Sequence, residues 1–444
     1  MSSSSQFLPS SKLADVVVVG AGLSGLRAAL DVQTAGLTCI VLEATGRVGG
    51  KTRSVPSKPS GPGINDIGAS WINDSTQVEM YRMFQQYKLH SEIQRAEGLS
   101  LLQLPDGSVL PHPHDQIPLM EEDQPRLASA LEKIRTLTEQ TDLEDPASSP
   151  DAKNLDNMTA REYCDSAFQS ELITNLLDTV IQSLLGVESN QISMLGFLHA
   201  CKTATGIDPM MSDGKDGGQY LRVQEGMQSF SKKMAEQFSP DTLVLSTPVT
   251  AIEQCLDTGI LAKQRFASEN TIGYYSKVIF VFSEPWWHTA GLSGAIQAQD
   301  GPILFSRDTS IPADDQWSIT CFLVAERGRQ WSQLSQTQRR NTAWTQFRRL
   351  FEGASGSSES LNVLEPINVL EIEWTKEEFF GGAPCPVSPP GLITTVHASA
   401  LQEPFENVHF IGTETALVWK GYMEGAVQSG IRGAKEVANA LLKG

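Results

Sequence analysis

The sequence predicts an α/β chain, a composite with α+β parts, in which a Rossmann-like nucleotide-binding domain is assembled from discontinuous segments and joined to a mixed helical and sheet domain. Three observations carry this reading. "DVVVVGAGLSGLRAALDVQTAGLTCIVLE" runs from an apolar strand through a glycine-rich turn into a helix and a second strand. "GTETALVWKGYMEGAVQSGIRGAKEVA", at residues 412–438, crowds glycines and large aromatics ahead of an amphipathic run. The chain has 444 residues, more than the roughly 100–200 of a single domain.

Val16 to Val19 form a continuous β-branched run, the pattern of a strand buried on both faces of a parallel sheet. Gly20, Gly22 and Gly25, with Leu23 and Ser24 between them, then spell G-x-G-x-x-G, and Leu26, Ala29 and Leu30 continue with helical spacing to a second strand at Cys39–Leu42. In that context the glycines let backbone N–H groups at a helix N-terminus approach a pyrophosphate, where the helix dipole favours negative charge. Glu43 closes the second strand 23 residues after Gly20, where a carboxylate accepts from a ribose 2′-hydroxyl; this favours FAD or NAD over NADP. "EATGRVGGKTRS" adds Ala44, Arg47, Gly49, Gly50 and Lys51, and "DIGASWI" adds Gly68, Ala69, Ser70 and Trp71.

This combination resembles the flavin-dependent amine oxidases of the monoamine oxidase type. The resemblance implies FAD rather than NAD, with the second glycine pair beside the flavin and Arg47 helping to hold it; Lys51 stands where the usual motif has arginine. "FENVHFIGTETALVWKGYMEGAVQSGIRGA" is similar to the family's second flavin-binding stretch. A strand at Val408–Ile411 is expected to deliver Gly412, Thr413 and Glu414 to the cofactor. Tyr422 and Met423 would begin a helix whose N–H groups face the flavin pyrimidine oxygen, with Gly421 and Gly425 permitting the approach. A strand at Val244–Val249 would place Val249 on the adenine side. The implied layout is a disordered tail at 1–12, an FAD-binding domain from 13–88, 222–275 and 378–444, and a substrate domain from 89–221 and 276–377.

The resemblance also implies the chemistry. Lys277, opening the apolar run Val278–Phe282, matches the family lysine that holds a water at flavin N5; Tyr422 matches one aromatic wall of the substrate cage, with Gln219 and Trp419 lining the pocket. The other wall departs. Aligning Gly381-Gly382 and Pro389-Pro390-Gly391 puts Ala383 where the flavin-linking cysteine stands in the family and Pro384 where the second aromatic stands. Alanine forms no thioether, so the FAD is expected to be non-covalent; Cys385 could substitute only if the loop shifted. The expected reaction is oxidation of a primary or secondary amine to an imine and then a carbonyl, with O2 reduced to H2O2. Oxidation or dehydrogenation of an amino acid or a secondary-metabolite amine is the near alternative.

Lys277 comes only 28 positions after Val249, several tens fewer than the family spends on a strand returning to the cofactor sheet and a proline-rich excursion. An inactive FAD-binding homologue is therefore the second class of reading. The bulk numbers exclude other functions. A formal charge of -18 argues against nucleic acid or an anionic membrane as partner. Six scattered cysteines suggest neither a metal site nor a disulfide framework. With no signal peptide, apolar tail or peroxisomal signal read from the termini, a cytoplasmic enzyme taking a small-molecule amine and O2 is expected, as a monomer or a homo-oligomer. "EPWWHTAGL" reads as a packed corner, and the acidic stretch 120–145 as a solvated helix with Leu127, Leu131 and Ile134 on one face.

Overall fold

The computed structural model describes residues 14–114, 116–252, 260–354, 361–396 and 398–442. The tail expected at 1–12 and part of the shortened 249–277 segment lie outside them.

Along the chain, β1 (Val16–Val19) and β2 (Cys39–Leu42) have the predicted boundaries, with α1 (Leu23–Thr34) between them. A hairpin of β3 (Ser54–Pro56) and β4 (Ile64–Asp66) and helix α2 (Val78–Gln86) come next, then the paired strands β5 (Leu99–Gln103) and β6 (Val109–Pro113). A helical block holds α3 (Gln124–Gln140), α4 (Glu171–Leu185) and α5 (Met194–Thr203). The chain returns through α6 (Gln228–Ala235), β7 (Leu243–Val244) and α7 (Ile260–Glu269). It then builds β8 (Tyr275–Phe282), β9 (Leu292–Gln297), β10 (Phe305–Asp308), β11 (Trp317–Val324), helix α8 (Gln336–Glu352) and β12 (Asn368–Glu373), and closes with helix α9 (Met423–Leu442).

The strands make two main sheets. The smaller is parallel, three-stranded and ordered β1-β2-β7; the larger has seven strands in the order β12-β8-β11-β10-β9-β5-β6. Helices α1 and α9 lie together on the small sheet because glycine removes the side chain between them: a Cβ on Gly430 would stand 2.4 Å from Ser24 O. Local chemistry sets the helix ends elsewhere. The Ser170 hydroxyl accepts from Ile173 N at the start of α4, and Gly186 ends that helix at φ +69°. Ile134 is fully buried on α3, with Leu127 and Leu131 partly buried beside it, and Trp286 and Trp287 pack against Phe282 and α8 as the expected corner.

The small sheet departs from expectation in three ways. Val17 and Val19 are 58% and 54% exposed, not buried on both faces, because β1 is an edge strand with one partner and one uncovered face. The strand expected at Val244–Val249 stops at Val244, where Leu243 and Val244 pair with β2; Ser246 then turns away at φ +52°. Val408–Ile411 is not a strand: it has a single bridge, Phe405 to Val408, and follows α9, with Arg432 Nη2 donating to Phe410 O. After β7 the chain continues into α7, which packs Phe266 against Leu392, Val396 and Ala400. Among the described residues, no helix is long and apolar enough to cross a membrane.

Candidate active site

The fingerprint turn and the second glycine pair meet directly. Gly49 N donates to Ala21 O (2.8 Å) and Gly22 bridges to Gly49, so a side chain on Gly50 would begin 3.3 Å from Gly22 Cα. Leu23, Ser24 and Gly25 are buried in the first turn of α1, whose N-cap, Gly22, offers no side chain to the free N–H groups. Glu43 is buried at the end of β2. Its Oε2 accepts from Ala21 N (2.7 Å) and its Oε1 from Thr45 N (2.8 Å) and Thr45 Oγ1 (2.7 Å), which leaves one of about four acceptor positions open. Ala44 is half-buried behind it. Arg47 bonds Thr52 O through Nη1, while its buried Nη2 has no partner, and burial holds its basicity below the ordinary guanidinium range. An uncapped helix start, a glycine cradle that any Cβ would fill and an orphaned buried guanidinium nitrogen together fit a pyrophosphate-bearing dinucleotide.

Lys51 reaches across this cradle to donate to Pro384 O (3.1 Å), tying the second glycine segment to the loop carrying Ala383. Gly68 is compressed against the same segment, since a Cβ there would stand 2.0 Å from Lys51 O. Lys277, on β8, is 5% exposed and donates to Gly68 O (2.5 Å), Ser70 Oγ (2.7 Å) and Asp66 O (3.2 Å). Ala69, between them, donates its N–H to Lys51 O (3.1 Å). The Trp71 ring lies 5.5 Å from Lys277 Nζ and donates its own N–H to Gln94 Oε1 (2.8 Å). Burial lowers the Lys277 ammonium's hold on its proton, opposed by the Asp66 carboxylate, and burial raises Asp66 in turn. Val249 is 36% exposed beyond the end of β7.

The C-terminal stretch supplies the other side. Thr413 Oγ1 accepts from Gly421 N (2.8 Å) and donates to Tyr422 O (2.8 Å), closing the turn ahead of α9, which begins at Met423 as expected. Gly412 N donates to Ser429 Oγ (3.0 Å), and Ser429 also meets Ser24 Oγ (2.9 Å), linking the two ends of the chain. Glu414 is half-buried in the 3-10 turn Thr413–Thr415. Tyr422 packs edge-on to Trp419, ring centroids 4.7 Å apart. Trp419 is fully enclosed, with Gly218 against its ring and its Nε1 unpartnered. Gln219, next to Gly218, donates to Met210 O (3.1 Å) and leaves its buried Oε1 without a partner.

Two glycines of this stretch also have packing roles. Gly425 serves packing within its own segment, because a Cβ there would stand 2.4 Å from Trp419 O. Gly421, at φ +87°, makes room for Cys385, whose Sγ would lie 2.9 Å from an added Cβ. That thiol is buried under the turn and burial pushes it up to about 11, which makes it a poor nucleophile. Ala383 is buried beside Gly273, donating to Gly273 O (3.0 Å), and Pro384 follows it.

Sequence reasoning missed Ser429, Asp66 and Glu424. Glu424 is fully buried in the first turn of α9, where its carboxylate accepts from Glu79 N (3.1 Å) and Met80 N (2.8 Å) at the start of α2. An acid at the first turn of a helix was a visible signal; its use on a different helix was not.

The model of the family described as flavin containing amine oxidoreductase matches residues 23–265 and 259–438, two pieces that meet inside the shortened segment. Flavin-containing amine oxidase B of Homo sapiens is 26% identical over 469 residues, spanning 97% of this chain and 87% of its own. The flavin-containing amine oxidase of Danio rerio is 28% identical over 471 residues, spanning 97% and 86%. Among solved structures, cyclohexylamine oxidase from Brevibacterium oxydans superposes with a TM-score of 0.85 at 24% identity over 97% of this chain and 99% of that one. Putrescine oxidase bound to putrescine gives 0.84 at 22% identity over 96% and 98%; at such identities the likeness carries the fold alone.

Proposed function

Because the chain belongs to the family of flavin containing amine oxidoreductases, we propose that it oxidises a primary or secondary amine with non-covalently held FAD, giving an imine that hydrolyses to a carbonyl while O2 becomes H2O2. The observation that supports this best is the grouping of Lys277, Gly68 and Ser70 beside the glycine cradle of Gly20, Gly22, Gly49 and Gly50.

Residues around Leu23–Gly25, Arg47 and Lys51 would hold the diphosphate, Glu43 the ribose, and Gly412, Thr413, Glu414 and the start of α9 the flavin. When bound, FAD accepts the two electrons that leave the amine's C–N centre. Tyr422, braced by Trp419, orients the amine; Gln219 offers its free Oε1 as an acceptor at the pocket wall. Lys277 keeps a mobile proton at Nζ, since burial weakens its hold, and Gly68 O and Ser70 Oγ fix that nitrogen in place. Pro384 leaves one side of the cage without a ring, which admits a bulkier amine. The segments 13–88, 222–275 and 378–444 form the cofactor half of this arrangement and 89–221 with 276–377 the substrate half. The buried free thiols at Cys39, Cys164, Cys201, Cys321 and Cys385 suit a reducing, cytoplasmic setting.

A second reading, an inactive flavin-binding relative, is favoured by one observation: β1 is left as an exposed edge beside the cradle. The absorption spectrum of purified protein separates the two. A flavin band that bleaches anaerobically with an amine and returns with O2 supports the oxidase; release of the colour by acid supports non-covalent binding, Ala383 having no sulfur to form the link. Protein that takes up FAD but never bleaches with any amine supports the second reading, and protein that takes up none removes both.

A further inference from the structure

The large sheet carries more than Lys277 on the face turned to the site. In register, Lys277 of β8 lies opposite Phe322 of β11, and Phe322 lies opposite Phe305 of β10. Residues two apart on a strand share a face, so Arg307, opposite Thr320, belongs to the next row of that same face. With strands about 4.8 Å apart and about 3.4 Å per residue, the Cα atoms of Arg307 and Lys277 stand roughly 12 Å apart, which leaves room for a small arylalkyl group between the two side chains. Between them is an aromatic floor: Phe305 and Phe322 stack at 4.3 Å with 7° between planes, Lys277 Nζ is 5.3 Å from the Phe322 ring and Arg307 Cζ 5.6 Å from the Phe305 ring.

The guanidinium is held with a donor to spare. Arg307 Nε pairs with Asp213 Oδ2 (2.9 Å) and Nη1 donates to Ser306 O (3.1 Å), so neither contact engages Nη2; the side chain is 24% exposed. The same Asp213 oxygen meets His114 Nε2 (3.1 Å), whose Nδ1 meets Ser100 Oγ (2.7 Å). Two basic side chains therefore share one carboxylate. Asp213 is itself nine-tenths buried; its unpartnered Oδ1 is an acceptor that repels an anion, so a carboxylate is taken on the Nη2 side of the guanidinium, away from that oxygen.

We propose that Arg307 is a specificity-determining residue that anchors a carboxylate at the far end of the amine substrate, with Asp213 and His114 as its positioning residues. The proposal rests on the amine oxidase reading for its substrate, and its binding step is independent of turnover. The test uses the FAD-loaded full chain and two probes without an amine, 4-ethylbenzoate and 4-ethylbenzyl alcohol, with Kd read by titration and thermal shift. Wild type is expected to bind the carboxylate about tenfold more tightly, Arg307→Met to bring the two within about twofold, and Arg307→Lys to restore part of the preference. In turnover of 4-(2-aminoethyl)benzoate against phenethylamine, Arg307→Met raises KM for the first about tenfold with kcat unchanged. Equal binding of both probes by wild type, a preference that survives in Arg307→Met, or faster turnover of an amine with a distal ammonium would overturn it. A carboxylate preference in protein whose flavin no amine bleaches keeps Arg307 as an anion anchor and removes the oxidase reading instead. If Arg307→Met does not fold, the Arg307→Lys comparison decides alone: a preference equal to wild type in both probes refutes the guanidinium's role.

Discussion

Val16–Val19 leaves Val17 and Val19 more than half exposed, whereas in Tyr275–Phe282 every residue from Ser276 to Phe282 is buried. Both stretches are rich in apolar, β-branched or aromatic residues, and both form strands. The difference is in what surrounds them. The second strand has antiparallel partners on both sides and a layer of Trp286, Trp287, Phe347 and Phe351 over one face; the first has one partner and an open face. Full burial of a valine is worth roughly 1.5–3 kcal/mol, so the open face forgoes on the order of 2 kcal/mol that a covering layer would supply. An apolar run announces a strand. It does not announce its neighbours.

Substitutions on the two sheets sharpen this contrast. Phe280 is fully buried in the large sheet, with Trp344 and Phe347 rings 5.1 and 4.9 Å away, so Phe280→Ala should cost about 3–5 kcal/mol in denaturant unfolding. A cost under about 1 kcal/mol would mean that the large sheet is not the stable half. Gly430→Ala comes next. Helix propensity favours alanine by about 1 kcal/mol, but the new Cβ would stand 2.4 Å from Ser24 O, and overpacking of this kind costs about 1–3 kcal/mol. The clash should win, lowering Tm and weakening FAD uptake together, because Ser24 lies in the fingerprint turn. A variant more stable than wild type would break the account of how α1 and α9 meet. The smallest effect is expected from Val17→Thr with Val19→Thr, within about 0.5 kcal/mol of wild type. A loss above about 2 kcal/mol would show that something covers that face in solution, and the contrast between the two sheets would fall.

Much of the cofactor half was legible because its signals are local. The turn at Gly20–Gly25 needs glycine for backbone reasons, Glu43 follows β2 directly, and Met423 starts α9 where the aromatic and glycine cluster ends. The rest depends on contacts between residues far apart in the chain. Ser429 reads as an ordinary small residue of an amphipathic helix until Ser24 is found opposite it. Asp66 reads as a loop acid until its carboxylate is seen accepting from Ser54 Oγ (2.5 Å) and Met227 N (3.0 Å) while its own carbonyl receives Lys277. Arg307 and Asp213 stand 94 positions apart in sequence, and no spacing rule joins them.

By itself, then, the sequence determined the nucleotide-type strand–turn–helix start, the family, the amine and flavin chemistry that go with it, and the alanine at position 383. Those follow from backbone constraints and short motifs that survive whatever else the chain does. Only the tertiary structure decided that β1 is an edge, that Gly425 and Gly430 serve packing, that Cys385 is shut beneath Gly421, and that Arg307 shares a face with Lys277. The physical reason is that burial and register belong to pairs of segments: a strand's exposure is set by what pairs beside it and what packs over its faces, and neither is written in the strand's own residues.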